Sequence, residues 1–442
     1  MTRVLSALAL VCTVVTVSGS AFAQPVPIGD VEGAEFRPYP IAIPNMRVPP
    51  GESDAHKKGK LHASVLSKVV RNDLKLCGAF EVLNPHSFID TDGITLSSVK
   101  FDDWLNVKAD GLVKSILRPQ KDGSFVVEVH AYEVAAAREG FSKRYEGTKD
   151  SLRQLGHAIS DDIFRYYTGE PGNFRTQIAV VKKRGGKKHV WLMDADGESE
   201  RRLTQRGSLN LLPSFSPDGK KVLFTSYRND NPDLFEIDVN SGKVKQLSAR
   251  PGLNTGGKVS PDGKHIAVTL SKDGNSEIYL LDRSGKLLRN LTNKWGIDTS
   301  PSFSPDGKDI AFVSSRFGNP HIFVVDKDGK SKPRRITFQG TYNQTPAYSP
   351  RGTHIAFTAR DEFNRFDIFL IDLKKGNKLI RVTQDQGNNE EPSFSPNGRM
   401  LVFTSTRSGS KQVWVSNLDG SHQRQITFTG SHASPVWGPF KK

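Results

Sequence analysis

This chain contains the residue types that do chemistry, but not at the spacings that chemistry needs. No Gly-x-Ser-x-Gly elbow presents a nucleophilic serine, and no His-Glu-x-x-His pairs two zinc ligands. Gly329-Lys330-Ser331 resembles the end of a phosphate loop, yet Val324 stands where that loop needs its first glycine, and the segment reads as a turn between strands. The eleven histidines are scattered, and His189, His265, His321 and His354 stand beside strand starts without ligand spacing. Catalysis has no candidate here, and neither a cofactor nor a metal is expected. Cys12 lies in an N-terminal leader, which leaves Cys77 alone in the mature chain, after an apolar helical run. A buried inert thiol is the reading, with no intrachain disulfide.

Two sets of polar residues do recur. A cation follows the second strand of each repeat unit: Arg184, Arg228, Lys272, Arg316, Arg360 and Arg407. Such a set either rings a channel mouth or braces neighbouring strands. Short polar residues precede the first strand of four units: Asn254-Thr255, Thr299-Ser300, Asn343-Gln344-Thr345 and Glu390-Glu391. Their side chains suit hydrogen bonding to a docked protein more than core packing, which makes them a candidate partner-binding mouth.

The elements that position these residues come from a repeat. Pro301-Ser302-Phe303-Ser304-Pro305-Asp306-Gly307-Lys308 has close copies at residues 213–220, 257–264, 346–353 and 392–399, and a decayed one at 435–439, spaced 43 to 46 residues apart. In each copy an aromatic-centred strand meets a Pro-Asp-Gly type turn, where Pro presets φ and Gly supplies a positive one, so the chain reverses. The Asp is explained by turn geometry rather than by calcium. Three further short strands follow, and four strands at a period in the forties make one propeller blade. Residues 176–204 hold strands two, three and four, whereas 434–440 hold only an inner strand. The two fragments complete one another, which predicts six blades closed by a C-terminal inner strand that removes the open sheet edges.

The 442 residues exceed one ordinary core. Residues 1–23 read as a signal peptide: Arg3, an apolar run from Leu5 to Val17, and Ala21-Phe22-Ala23 before cleavage at Gln24. Residues 24–40 are rich in Pro and Gly and read as a flexible arm. Over 41–168 a small α/β domain is expected: a strand at 41–43, and a helix from Asp54 to Leu76 with a stripe of Leu61, Val65, Leu66, Val69, Val70 and Leu74. Strands at 80–83, 111–117 and 125–134, a short helix with Trp104, and an amphipathic helix at 150–168 complete it. The linker 169–175 is too short to be a free tether, so the domain should touch the propeller, residues 176–442. The charge balance, 62 Lys plus Arg against 47 Asp plus Glu, gives +15 and suits an acidic protein or an anionic surface.

The junction carries a resemblance: Gly156-His157, Ser160-Asp161-Asp162-Ile163-Phe164, Thr168-Gly169 and Phe174-Arg175-Thr176-Gln177-Ile178-Ala179, between a small α/β domain and six Ser-Pro-Asp-Gly blades. Over its whole length the chain resembles the TolB family of the Tol-Pal envelope system. That resemblance implies a non-enzymatic periplasmic scaffold. It would bind the Pal lipoprotein on the propeller and TolA through the arm, alongside other envelope proteins, with no nucleic acid and no membrane insertion. The family role is outer-membrane integrity and invagination during division, and in several members bacteriocins exploit the same propeller site. Two other classes stand beside it: a binder of anionic envelope polymers, and a propeller hydrolase or lactonase.

Overall fold

The computed structural model describes residues 37–89 and 92–441. The expected signal peptide, its expected cleavage site Ala23-Gln24 and nearly all of the expected arm lie outside these residues. Among the described residues no helix is long and apolar enough to cross a membrane.

The N-terminal domain is a five-stranded mixed sheet with two helices packed together beside it. Its elements are β1 (Tyr39–Ala42), α1 (Asp54–Leu76), β2 (Phe80–Val82), α2 (Phe101–Asn106), β3 (Gly111–Pro119), β4 (Phe125–Glu133), β5 (Arg138–Gly147) and α3 (Leu152–Thr168), with sheet order β2-β1-β3-β4-β5. Strand β1 opens at Tyr39, inside the stretch assigned to the arm, because Tyr39 and Pro40 pair in parallel with Phe80 and Glu81. Helix α1 spans the expected residues and is capped by Ser53, whose side chain accepts from the His56 N–H at 3.2 Å. Leu61 and Val65 of the expected stripe are exposed; the buried face runs through Ala63, Leu66, Ser67, Val70 and Leu74 instead. Strand β5 was not expected: its pattern is polar and only Tyr145 is buried, as befits a sheet edge.

The rest of the chain is a six-bladed propeller. Five four-stranded sheets follow one another over residues 210–248, 254–290, 298–335, 343–381 and 389–425, blades one to five. The sixth is composite: the inner strand Ser431–Trp437 pairs antiparallel with Gln177–Arg184, which continues into Lys187–Asp194 and Arg201–Arg202. Hydrophobic cores lie between blades rather than within them. Val190 and Leu192 of the composite blade, for instance, pack with Val222, Phe224 and Phe235 of blade one. Each blade therefore depends on both neighbours, and closure is what leaves none exposed. Fully burying each of Phe224, Phe312, Phe357 and Phe403 in these seams contributes about 1.5–3 kcal/mol.

The two domains share one core. Phe164 and Tyr167 of α3, and Leu74 of α1, belong to the same cluster as Ile178, Met193, Met400, Val413 and Trp437 of the propeller. The junction residues lock this contact. Gly156 is confined by Val69 of α1, where a Cβ would come within 2.6 Å of a methyl. Asp161 accepts from the Phe174 N–H at 3.0 Å and from Arg175 Nε at 2.6 Å. Asn173 Nδ2 donates to Asn397 Oδ1 at 2.7 Å, and Arg351 and Arg399 both donate to Glu170. Asn397 sits in the turn after an inner strand, so the α/β domain covers the face carrying the turns between strands one and two. The opposite face, where inner strands begin, is left open.

Candidate functional site: the open mouth of the channel

Every inner strand enters the channel by the same device. A buried polar residue comes first (Asn210, Asn254, Asp298, Asn343, Asn389 or His432), and two positions later stands a residue in the left-handed region. Those six are Leu212 (φ 51°), Gly256 (67°), Ser300 (56°), Thr345 (51°), Glu391 (61°) and Ser434 (51°). At each the ladder to strand two shifts register, so each is a bulge. A bulge re-aims side chains, and holding a residue with a Cβ there costs about 1–2 kcal/mol, which is typical of sites that serve a purpose other than stability. In five blades Pro follows the bulged residue; blade two has Gly257 instead.

The mouth residues expected from sequence divide into two groups. Thr255, Thr299, Ser300, Thr345 and Glu391 line a central cavity of about 340 Å³ bounded by inner strands of all six blades. Asn254 and Asn343 do not face a partner, because both are buried and used within their blades. Asn254 Nδ2 donates to the Arg250 carbonyl at 2.6 Å, and Asn343 Nδ2 points at His321 Nδ1 at 2.9 Å. Gln344 and Glu390 are half-buried beside the rim, Glu390 accepting from Lys411 Nζ at 3.1 Å. All of these residues lie in the inner strands themselves rather than in loops leading to them.

None of the six cations lines the cavity. Four lie back over aromatic rings of strands two and three: Arg228 sits 4.4 Å from the Phe235 centroid, Lys272 5.3 Å from Tyr279, Arg316 5.0 Å from Phe323 and Arg407 4.4 Å from Trp414. Arg360 covers Tyr342 and Phe366 at 4.7 and 5.3 Å. Arg184 is exposed, and in its blade Lys182 takes the stacked place over Trp191 at 5.1 Å. Arg316 is in addition buried against Asp298 at 2.9 Å, and Arg407 Nη2 donates to Asn389 Oδ1 at 2.7 Å. Burial pulls the Arg407 guanidinium down to about 10. A cation four residues after an aromatic, as in Phe224/Arg228, Phe312/Arg316 and Phe403/Arg407, was the signal for stacking.

Sequence reasoning missed the exposed apolar side chains. Trp295, Ile297, Phe317, Phe338, Phe363 and Phe428 are the large hydrophobics left most exposed on the propeller, each at least 59% accessible. Trp295, Ile297, Phe338 and Phe428 sit in loops from strand four to the next inner strand, and Phe317 and Phe363 in loops from strand two to three. Both loop types open on the face free of the α/β domain, so these side chains share that face, spread from the loop between blades two and three to the loop that enters the closing strand. Large hydrophobic side chains left in solvent on one face make that face a candidate docking surface. These residues are isolated in the sequence, and only the blade geometry shows that they share one face.

Asp73, His157 and Asp196 offer ligand atoms within 4.8 Å of one another at the domain contact. Hydrogen bonds already engage them: His157 Nδ1 lies 2.8 Å from Asp73 Oδ2, and Arg153 Nη2 donates to Asp196 Oδ2 at 2.7 Å. The cluster works as a latch between α1, α3 and the composite blade.

The fold and its mouth define the class: a six-bladed β-propeller with an α/β domain on one face and the channel mouth and exposed aromatics on the other. The profile of the TolB amino-terminal domain matches residues 30–139, and that of the TolB beta propeller domain matches residues 164–441. A Tol-Pal system protein TolB of Myxococcus xanthus is 45% identical over 349 residues, 78% of this chain and 79% of that protein. One from Anaeromyxobacter dehalogenans is 41% identical over 231 residues, a match spanning about half of each chain, 52% and 51%. The crystal structure of TolB from Acinetobacter baumannii superposes with a TM-score of 0.79 at 27% identity, covering 91% of this chain and 97% of that one. The chain belongs to the TolB family of Tol-Pal system proteins.

Proposed function

We propose that this protein is a non-enzymatic periplasmic scaffold that docks the lipoprotein Pal on the open propeller face and reaches TolA through residues 24–38. In that role it supports outer-membrane integrity and invagination during division. The observation that carries the reading is the set of exposed large hydrophobic side chains on the face the α/β domain leaves free. Among the described residues only Lys258 and Glu391 lining the cavity can ionise, and Glu391 accepts from Ser434 Oγ at 2.7 Å and Thr404 Oγ1 at 2.9 Å. That leaves no acid and base facing one another, which supports binding over hydrolysis.

The test is calorimetry with purified Pal. Phe338→Ser with Phe428→Ser should weaken Pal binding by roughly a thousandfold, because aromatic anchors contribute about 2 kcal/mol or more each when docked. The melting temperature should be unchanged. Equal Pal affinity of parent and double variant overturns the placement. Deleting 24–38 should abolish TolA binding and spare Pal. One observation favours a second reading, an anionic-polymer binder: a groove beside blade one is lined by Arg201, Arg202, Arg206 and Arg228 with no acid among its lining residues. Retention on a phosphate-bearing polymer that collapses with salt would favour it.

A further inference from the structure

Two positions after the bulged residue each inner strand carries a further position, and in every blade but the first it lines the cavity. Five are small or apolar: Ser214, Ser302, Ala347, Ser393 and Val436. In blade two the position is Lys258, preceded by Gly256-Gly257 where the other blades carry a side chain and Pro. Gly257 is held by packing, since a Cβ would come within 2.8 Å of the Leu234 methyls, so blade two differs from the rest at three adjacent positions.

We propose that Lys258 is an acid-recognising residue at the floor of the channel, and that the docked partner inserts a carboxylate side chain which pairs with its ammonium. The proposal rests on the reading that Pal docks at the mouth, and deepens it by naming the chemistry the partner must present.

Four observations carry it. Lys258 lines the cavity, and no hydrogen bond or ion pair engages its Nζ among the described residues. The one carboxylate lining the cavity, Glu391, is committed to Ser434 and Thr404. Desolvation alone pulls the Lys258 ammonium down to about 8, with no nearby carboxylate offsetting it. Finally, apart from Glu391 the lining is hydroxyls, prolines and apolar groups, which supply no counter-charge. A desolvated ammonium without a partner opposes folding, so its presence at a position where other blades place serine or alanine is a cost that a docked anion would remove.

The experiment measures Pal affinity for the full chain, for Lys258→Met and for Lys258→Gln at pH 7 and pH 9. Both variants keep the side-chain reach and should melt no lower than the parent, since they remove an unpaired charge. The expected result is a loss of roughly thirtyfold or more at pH 7, the effect of breaking a desolvated charge pair. Raising the pH to 9 deprotonates Lys258 in the parent, which should weaken parent binding towards the variants while their own affinities stay level. If parent and variants bind Pal equally at pH 7, the proposal is overturned and the docking face stands. If the parent itself fails to bind Pal, both fall.

Discussion

Trp437 is where ring closure and domain contact meet, so its removal tests the architecture most directly. It ends the closing strand opposite Ile178, is buried in the core shared by the two domains, and donates its indole N–H to Thr176 Oγ1 at 2.8 Å. Its backbone N–H donates to Ser393 Oγ of blade five at 3.1 Å. Trp437→Ala removes a buried ring and leaves a cavity, about 4 kcal/mol, and breaks a hydrogen bond of about 1 kcal/mol. The sum of about 5 kcal/mol is comparable to the whole stability of many domains. With a urea dependence of roughly 3 kcal/mol/M, the unfolding midpoint followed by far-ultraviolet circular dichroism should fall by about 1.5 M. Trp437→Phe, which keeps most of the volume and leaves Thr176 donating to the Asn173 carbonyl, should cost about 1–2 kcal/mol. A drop of less than about 0.5 M for Trp437→Ala would refute the claim that closing strand and domain contact are secured at this residue.

Three further outcomes are expected. Burial pushes Asp73 up to about 6, and for His157 the cost of burial is outweighed by the hydrogen bond and charge of Asp73, so its value also lies above the ordinary one. Groups raised in the folded state stabilise it at low pH and lose that contribution as pH rises through their folded values. The contribution of this pair should therefore be larger at pH 6 than at pH 8, so the urea midpoint lost on His157→Gln should shrink as pH rises from 6 to 8. Arg316→Ala leaves Asp298 buried and uncompensated, so the protein should lose about 3–5 kcal/mol, read by thermal melting, while the salt dependence of Pal binding stays as in the parent. Burial pushes the Cys77 thiol up to about 12, so a thiol reagent at pH 8 should label it only at the rate of unfolding; rapid labelling of the native protein would show that α1 opens locally.

The propeller was legible because its signals are local. Ser216-Pro217-Asp218-Gly219 specifies its own turn, with Ser216 Oγ and the Lys220 N–H both donating to Asp218 Oδ1, and no distant residue is needed to form it. The missing inner strand at one end and the spare one at the other could be matched by counting, so composite closure followed. Helix α1 was equally readable in extent, though not in its buried face: Leu61 and Val65 continue the helical period but point away from the sheet that buries Leu66 and Val70. Apolar spacing reports a stripe, and only packing decides which edge of it meets a neighbour.

The site was less legible, because its features depend on which groups from different blades come together. Asn254 and Thr255 are adjacent and alike in sequence, yet one is spent on a loop carbonyl and the other faces the channel, since successive residues of a strand point to opposite sides. Arg316 stands in a polar loop pattern and is one of the buried charges, because Phe312 and Phe323 pair across strands and Asp298 arrives from the inner one. By itself the amino-acid order determined the repeat, the blade count, the closing strand and the family junction, all of which are set by short-range backbone preference and periodicity. The tertiary structure alone decided that the α/β domain takes one face, that scattered Trp295, Phe338 and Phe428 gather on the other, and that Lys258 is left without a counter-charge. Those outcomes depend on distances between strands that the chain brings together only by closing the ring.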